Sequence, residues 1–116
     1  MNPCKIYHNP RCSKSRKALI FLQEHFDQVE IIEYLKVGLS KEEVESLLLL
    51  FSEEVSSLVR TGEEEYKSSP FDTRDRNQIL KALCAKPKLL QRPIVIVEAR
   101  AVIARPFEKL EDFLKE

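Results

Sequence analysis

Apolar side chains in the first third of the chain follow two different spacings. Residues 4–8 alternate with the twofold period of a short strand, and the Asn9-Pro10 pair then interrupts the pattern. Apolar residues recur at helical spacing over residues 12–25, which predicts an amphipathic helix. Residues 29–35 are rich in β-branched side chains and predict a second strand. This order implies two parallel strands joined by a right-handed crossover.

Turn and capping residues divide the middle of the chain. Gly38 marks a turn, and Ser40 followed by Glu43 forms a capping box that predicts a helix over residues 41–51. A further helical turn is expected over residues 52–58, with the serine at its start as the cap.

Another helix is predicted after residues 68–70, where two serines and a proline indicate a loop. Asp72 or Thr73 is the expected cap of this helix, which runs to about Ala85, and Pro87 closes it. Its apolar residues recur on one face, which is therefore expected to pack on the core.

The last quarter of the chain predicts a hairpin followed by a helix. Residues 93–97 form a continuous apolar run, typical of a strand buried on both faces. A tight connection over residues 98–100 leads to a partner strand over residues 101–104, so the pair is antiparallel. Pro106 suits the first position of a final helix over residues 107–115. The whole pattern predicts an α/β fold of three layers, with a mixed four-stranded sheet flanked by helices.

Length and composition limit the class of protein. With 116 residues the chain has room for one domain, residues 1–116. Basic and acidic residues number 19 each, which argues against a general nucleic-acid binder. No apolar run approaches the ~18 residues that a membrane helix needs, and the first residues lack the apolar region of a signal peptide. We therefore expect a cytoplasmic protein without membrane contact, and a monomer.

The cysteines argue for a reducing compartment. Three is an odd number, and their spacing matches no disulfide framework, which predicts reduced thiols. Neither they nor the two histidines have metal-ligand spacing, so we predict no metal site. Cys4 lies in a predicted strand and Cys84 on the apolar face of a predicted helix, and we expect both to pack in the core.

Cys12 differs from the other two, because it stands where the first predicted strand leads into the first predicted helix. Free backbone amides and the positive end of the helix dipole meet at that position, which favours a thiolate and can hold an oxyanion. Residues 1–23 contain five basic residues and no acidic one. We therefore expect the pKa of Cys12 to lie below the ~8.5 of a free thiol.

The residues after Cys12 exclude two related thiol chemistries. A phosphatase-type loop needs an arginine six residues after the cysteine, where this chain has Ala18. A dithiol redox motif needs a second cysteine at the position of Ser15, so Cys12 would require an external resolving thiol. Ser13 and Ser15 both lie in the first helical turn, where serine hydroxyls satisfy free backbone amides.

The segment over residues 8–16, together with Arg92-Pro93-Ile94 and Arg105-Pro106, resembles the glutaredoxin-coupled arsenate reductase family, which has a thioredoxin-like fold. The resemblance covers essentially the whole chain. It implies that Cys12 attacks arsenate and that glutathione then attacks the arsenic of the adduct. It further implies that arsenite leaves and that glutaredoxin resolves the glutathionylated cysteine. Glutathione is thus the implied co-substrate, with no bound cofactor.

The resemblance also implies roles for other residues of the site. Pro93 matches the cis-proline of thioredoxin-like folds. His8 matches a motif histidine that tunes the thiolate or hydrogen-bonds the loop, and Ser15 is expected to donate to the thiolate. The guanidinium groups expected to bind the oxyanion belong to Arg60, Arg92 and Arg105.

Two other functions remain open on the same scaffold. One is a thiol oxidoreductase acting on a different glutathione-linked substrate. The other is a regulatory binding protein like the Spx-type transcription regulators, which contact RNA polymerase. Those regulators typically carry a Cys-x-x-Cys switch, and Ser15 argues against such a switch here. The three arginines favour the arsenate reductase.

The neutral total charge hides an uneven distribution. Residues 74–105 contain eight basic and two acidic residues, and all the charged residues within 1–23 are basic. On the predicted fold these segments bring Cys12, Arg92 and Arg105 to one site. We therefore expect a small, focused oxyanion pocket rather than a broad basic surface.

Overall fold

A computed structural model describes residues 4–115, which form both strands and helices. The elements are β1 Cys4–Tyr7, α1 Ser13–His25, β2 Glu30–Ile32, α2 Tyr34–Val37, α3 Lys41–Leu50, α4 Glu64–Ser68, α5 Arg76–Ala85, β3 Ile94–Val97, β4 Arg100–Ile103 and α6 Phe107–Lys115. Two short 3₁₀ helices lie at Val55–Leu58 and Pro87–Leu89. None of the helices in this described stretch is long and apolar enough to cross a membrane.

The four strands form one mixed sheet in the order β2-β1-β3-β4, which confirms the predicted sheet. β1 is parallel to β2 and antiparallel to β3, and β3 is antiparallel to β4. One row of side chains crosses all four strands, from Ile31 through Ile6 and Val95 to Val102. The last three of these are buried, so the sheet contributes its centre to the core.

The chain divides into two compact units. The first unit lies within Met1–Val37 and Arg92–Glu116 and contains the sheet with α1, α2 and α6. Ala18 and Leu22, one turn apart on α1, are fully buried against strand residues in its core. Leu110 and Phe113 of α6 belong to the same cluster. The expectation that residues 1–116 form a single domain stays a prediction.

The second unit is Gly38–Gln91, in which α3 packs on α5. The helices bury apolar residues such as Leu47 and Leu83. The predicted capping box at the start of α3 is confirmed, because the Glu43 amide donates to Ser40 Oγ (3.1 Å) and the Ser40 amide donates to Glu43 Oε1 (2.9 Å).

The second strand is shorter than predicted. Only Glu30–Ile32 pairs with β1, and the His8 amide, just beyond β1, donates to the Ile32 carbonyl at 2.8 Å. The backbone closes a helical turn at once, with the amides of Lys36 and Val37 donating to the Glu33 carbonyl at 2.9 and 3.1 Å. The last two residues of the predicted strand, Tyr34 and Leu35, therefore belong to α2 instead.

Two expectations in the second unit were wrong, and one helix was not predicted. The cap of α5 is Asp75, whose Oδ1 accepts from the amides of Asn77 and Gln78, whereas Asp72 and Thr73 precede the helix. Glu54, not the serine at 52, precedes the 3₁₀ helix. α4 was not predicted, because its five residues contain a single aromatic and no apolar periodicity.

Candidate functional site

The loop between β1 and α1 positions Cys12 through its own backbone. The Cys12 amide donates to the Asn9 carbonyl (3.0 Å), and the Arg11 amide donates to Asn9 Oδ1 (3.0 Å). Arg16 Nη1 donates back to the Pro10 carbonyl at 2.9 Å. The turn residue Asn9 and the helix residue Arg16 thus shape the loop. The Asn-Pro pair is a turn signal, but the sequence motif did not show which groups it holds.

Cys12 itself precedes the first turn of α1 in an extended conformation. Half-burial of its side chain raises the pKa of the thiol. The contributions that lower the pKa are together larger than this effect of burial. The Arg92 guanidinium and the amides of Ser15 and Lys14 hydrogen-bond the sulfur, and Arg92 also adds its positive charge. The net result is a pKa below the ordinary thiol value, as the sequence predicted.

A buried His8–Ser15 pair lies on the inner side of the same loop. Ser15 Oγ is 2.6 Å from His8 Nδ1 and accepts from the Asn9 amide at 3.0 Å. Because that oxygen already accepts from an amide, its single proton is available to Nδ1 of a neutral imidazole. Burial lowers the pKa of His8 and so favours this neutral form, with Glu33 raising it and Arg16 lowering it by smaller amounts.

The geometry divides the expected role of Ser15 between two groups. Its backbone amide hydrogen-bonds the sulfur of Cys12, whereas its hydroxyl contacts His8 and the Asn9 amide. The hydroxyl therefore organises the loop, and the helix N-terminus contributes the contact to the thiol.

Arg92 and Arg105 lie at the same end of the sheet as the Cys12 loop. Tyr7 at the end of β1 pairs with Ile94 at the start of β3, which in turn pairs with Ile103 at the end of β4. Arg92 therefore lies two residues before the start of β3, and Arg105 lies two residues after the end of β4, both beside the loop. Both arginines are half-buried.

Pro93 has the cis bond that the resemblance implied. Its ring is buried, and its carbonyl accepts from the Ala104 amide at 2.9 Å, which extends the β3–β4 pairing by one step. The Arg105–Pro106 bond is also cis.

Arg60 lies in the second unit, apart in sequence from the residues above. Its guanidinium forms an ion pair with Glu63, which also pairs with Lys88. Its backbone amide donates to the Leu89 carbonyl at 2.8 Å. The oxyanion-binding role of Arg60 stays a prediction. Across residues 4–115, no group of three or more His, Cys, Asp or Glu side chains is arranged to hold a metal ion.

Comparison with known proteins relates this geometry to one family. The model of the ArsC family matches residues 7–113. The arsenate reductase of Neisseria meningitidis serogroup A is 35% identical over 117 residues, covering 98% of this chain and 100% of the relative. The arsenate reductase of Haemophilus influenzae is 39% identical over 112 residues, covering 94% of this chain and 97% of the relative.

A solved structure extends the comparison to the fold. The arsenate reductase from Vibrio cholerae superposes with a TM-score of 0.84 at 33% identity, covering 96% of this chain and 97% of that chain. The thioredoxin-like fold class is thereby confirmed.

Proposed function

The chain belongs to the ArsC family, and on that premise we propose that it reduces arsenate to arsenite, with Cys12 as nucleophile and glutathione and glutaredoxin as electron donors. The observation that carries this proposal is the Cys12 sulfur, which Arg92 and two helix amides hydrogen-bond and whose pKa they lower. The proposal includes a cytoplasmic monomer that needs no bound cofactor.

The first proposed step is attack of the Cys12 thiolate on arsenic. A bond forms between Cys12 Sγ and arsenic, and one arsenate oxygen leaves as water after protonation. Arg92 is well suited to this step, because a planar guanidinium can pair with the sulfur before attack and with arsenate oxygens during it. Arg105 at the same end of the sheet adds a second guanidinium, and Arg60 is the third proposed ligand.

The second proposed step is reduction. Glutathione attacks the arsenic of the adduct, and its sulfur replaces a second oxygen. The two sulfurs then couple, one electron pair forms their disulfide bond, and the other pair stays on arsenic. The released arsenic takes up one water, which restores the third oxygen of arsenite. Glutaredoxin takes the glutathione from Cys12 by thiol–disulfide exchange, which regenerates the thiolate. Two thiols thus supply the two electrons.

The test is a coupled assay that contains arsenate, glutathione, glutaredoxin and glutathione reductase and follows the oxidation of NADPH. We expect an arsenate-dependent rate that Cys12→Ser abolishes, because serine is a far weaker nucleophile. Cys84→Ser is the matched control and should retain the rate. An arsenate-dependent rate no higher than that of Cys12→Ser would contradict the proposal.

The same assay separates the alternative thiol chemistry. With glutaredoxin left out and arsenate replaced by a glutathionylated small thiol, the rate in excess of that of Cys12→Ser measures deglutathionylation through Cys12. A rate with that substrate and none with arsenate would favour the oxidoreductase of other glutathione-linked substrates.

A further inference from the structure

A cavity of about 350 Å³ lies beside the Cys12 loop, between the first turns of α1 and the start of α6. Ser13, Lys14 and Lys17 line it from α1, and Pro106, Phe107 and Glu108 line it from the other side. One water molecule occupies about 30 Å³ of liquid, so the cavity has room for roughly ten. It is far larger than an oxyanion with one central atom requires.

The charges in this cavity have a definite pattern. Lys14 and Lys17 present two ammonium groups, and Glu108 presents one carboxylate. Phe107 supplies an apolar wall, and Lys17 Nζ lies 4.4 Å from the centroid of its ring. The complementary ligand carries two carboxylates, one ammonium group and a short uncharged stretch between them.

Lys14 connects this cavity to the thiol. Its side chain lines the cavity, while its backbone amide hydrogen-bonds the sulfur of Cys12. Lys14 therefore takes part both in the wall of the cavity and in the hydrogen bonding of the reacting sulfur. A ligand with its own sulfur between its charged ends would present that sulfur to Cys12.

We propose that this cavity binds glutathione, with its two carboxylates towards Lys14 and Lys17 and its ammonium group towards Glu108. Glutathione is a tripeptide that carries these three charges and a central thiol. The inference rests on the proposed function for its biological meaning, since it assigns the binding site of the co-substrate. Its test does not use arsenate.

The test compares two disulfides as reagents for Cys12 in a Cys84→Ser background. In each reaction a bond forms between Cys12 Sγ and one sulfur of the reagent, the reagent's disulfide bond breaks, and its other half leaves as a thiolate. Glutathione disulfide carries the charged groups, whereas 2-hydroxyethyl disulfide is neutral. The ratio of the two rates isolates recognition of the charges from the reactivity of the thiolate.

We expect Lys17→Gln to slow the reaction with glutathione disulfide about two- to fivefold, because one partly solvated ion pair is lost. The reaction with 2-hydroxyethyl disulfide should be unchanged. Lys115→Gln removes an exposed lysine from α6 outside the cavity and is the matched control. Added salt should reduce the preference for glutathione disulfide in the parent protein by screening the same charges.

Equal slowing with both disulfides, or no slowing with either, would overturn the proposal. A second measurement is titration of S-methylglutathione into the Cys12→Ser protein, followed by amide NMR shifts. Shifts concentrated at Ser13–Lys17 and Phe107–Glu108 support the site, and shifts confined to other segments overturn it. If the protein turns over arsenate but Lys17→Gln does not selectively slow the reaction with glutathione disulfide, only this binding site is rejected. If that selective slowing is seen but arsenate is not turned over, only the proposed function is rejected.

Discussion

Cys12 and Cys84 are both half-buried thiols at helices, yet their surroundings have opposite effects. Around Cys12, hydrogen bonds from Arg92 and the α1 amides outweigh burial and lower the pKa. At Cys84, burial raises the pKa, and the carboxylates of α3 raise it further. Those carboxylates belong to Glu42, Glu43 and Glu45.

The comparison shows that exposure does not separate a reactive thiol from an unreactive one in this protein. Burial acts in the same direction on both, and the sign of the neighbouring charges and the presence of donors decide the difference. Cys4 shows the effect of burial without such neighbours, because burial alone raises the pKa of its thiol to about 11. It lies in the core as predicted, whereas Cys84 is only half-buried beside the acidic face of α3.

The largest expected effect is the difference in labelling rate among the three cysteines. At pH 7 a thiol of pKa about 11 is thiolate in about one molecule in 10,000, whereas an ordinary thiol is thiolate in at least about one in 100, and the lowered pKa of Cys12 raises that fraction. Iodoacetamide should therefore modify Cys12 more than about 100-fold faster than Cys4, and Cys84 should be intermediate. Peptide mass spectrometry during the reaction measures all three rates. Similar rates for Cys12 and Cys84 would remove the basis of the comparison.

A tenfold effect is expected from the guanidinium beside the thiol. Arg92→Ala removes a charged donor and a positive charge from Cys12, which we expect to raise the pKa of Cys12 and to slow its labelling at pH 7 about tenfold. The midpoint of the pH–rate profile should move upward accordingly. Arg74→Ala, at an exposed arginine paired with Asp72, is the control and should leave the profile in place. An unchanged midpoint in Arg92→Ala would mean that the helix amides alone set the pKa.

Local features of the fold were predictable where neighbouring residues determine them. The Ser40–Glu43 capping box is one case, because both of its hydrogen bonds lie within four residues. The end of β2 was not predictable from neighbouring residues, since β2 pairs with β1, which ends about 25 residues earlier in the chain. The cap of α5 was expected at Asp72 or Thr73, but the helix begins later and Asp75 caps it.

The candidate site also combines features that neighbouring residues determine with features that depend on distant residues. The thiol at a helix N-terminus followed from local sequence, as did the direction of its pKa shift. The approach of Arg92, 80 positions later, came from the family resemblance and not from spacing. A hydrogen bond of His8 within the loop was one of two expected roles, but its partner Ser15 was not identified, because the loop must fold before these two side chains meet.

A smaller effect on Cys12 is expected from Ser15→Ala, which separates the hydroxyl from the backbone. The change removes the partner of His8 Nδ1 and the acceptor of the Asn9 amide inside a buried pair, so the free energy of unfolding should fall by about 1–3 kcal/mol. The Ser15 amide remains, and the labelling rate of Cys12 should fall less than about threefold. Urea unfolding and iodoacetamide kinetics measure the two effects.

Ser13→Ala is the matched control, since Ser13 is exposed in the same helical turn. It should change neither quantity measurably. A loss of Cys12 reactivity in Ser15→Ala as large as that in Arg92→Ala would assign the hydroxyl a direct role at the thiol.

The smallest expected effect concerns the acidic face beside Cys84. In a Cys12→Ser background, the pair Glu42→Gln and Glu45→Gln should raise the labelling rate of Cys84 about twofold, because both carboxylates disfavour its thiolate. Lys41→Gln removes a positive charge near the same thiol and should act in the opposite direction. Salt should weaken both effects, since these side chains are exposed. If neither substitution changes the rate at low salt, burial alone keeps Cys84 unreactive, and the contrast with Cys12 then rests on the donors of the Cys12 loop rather than on opposite charges.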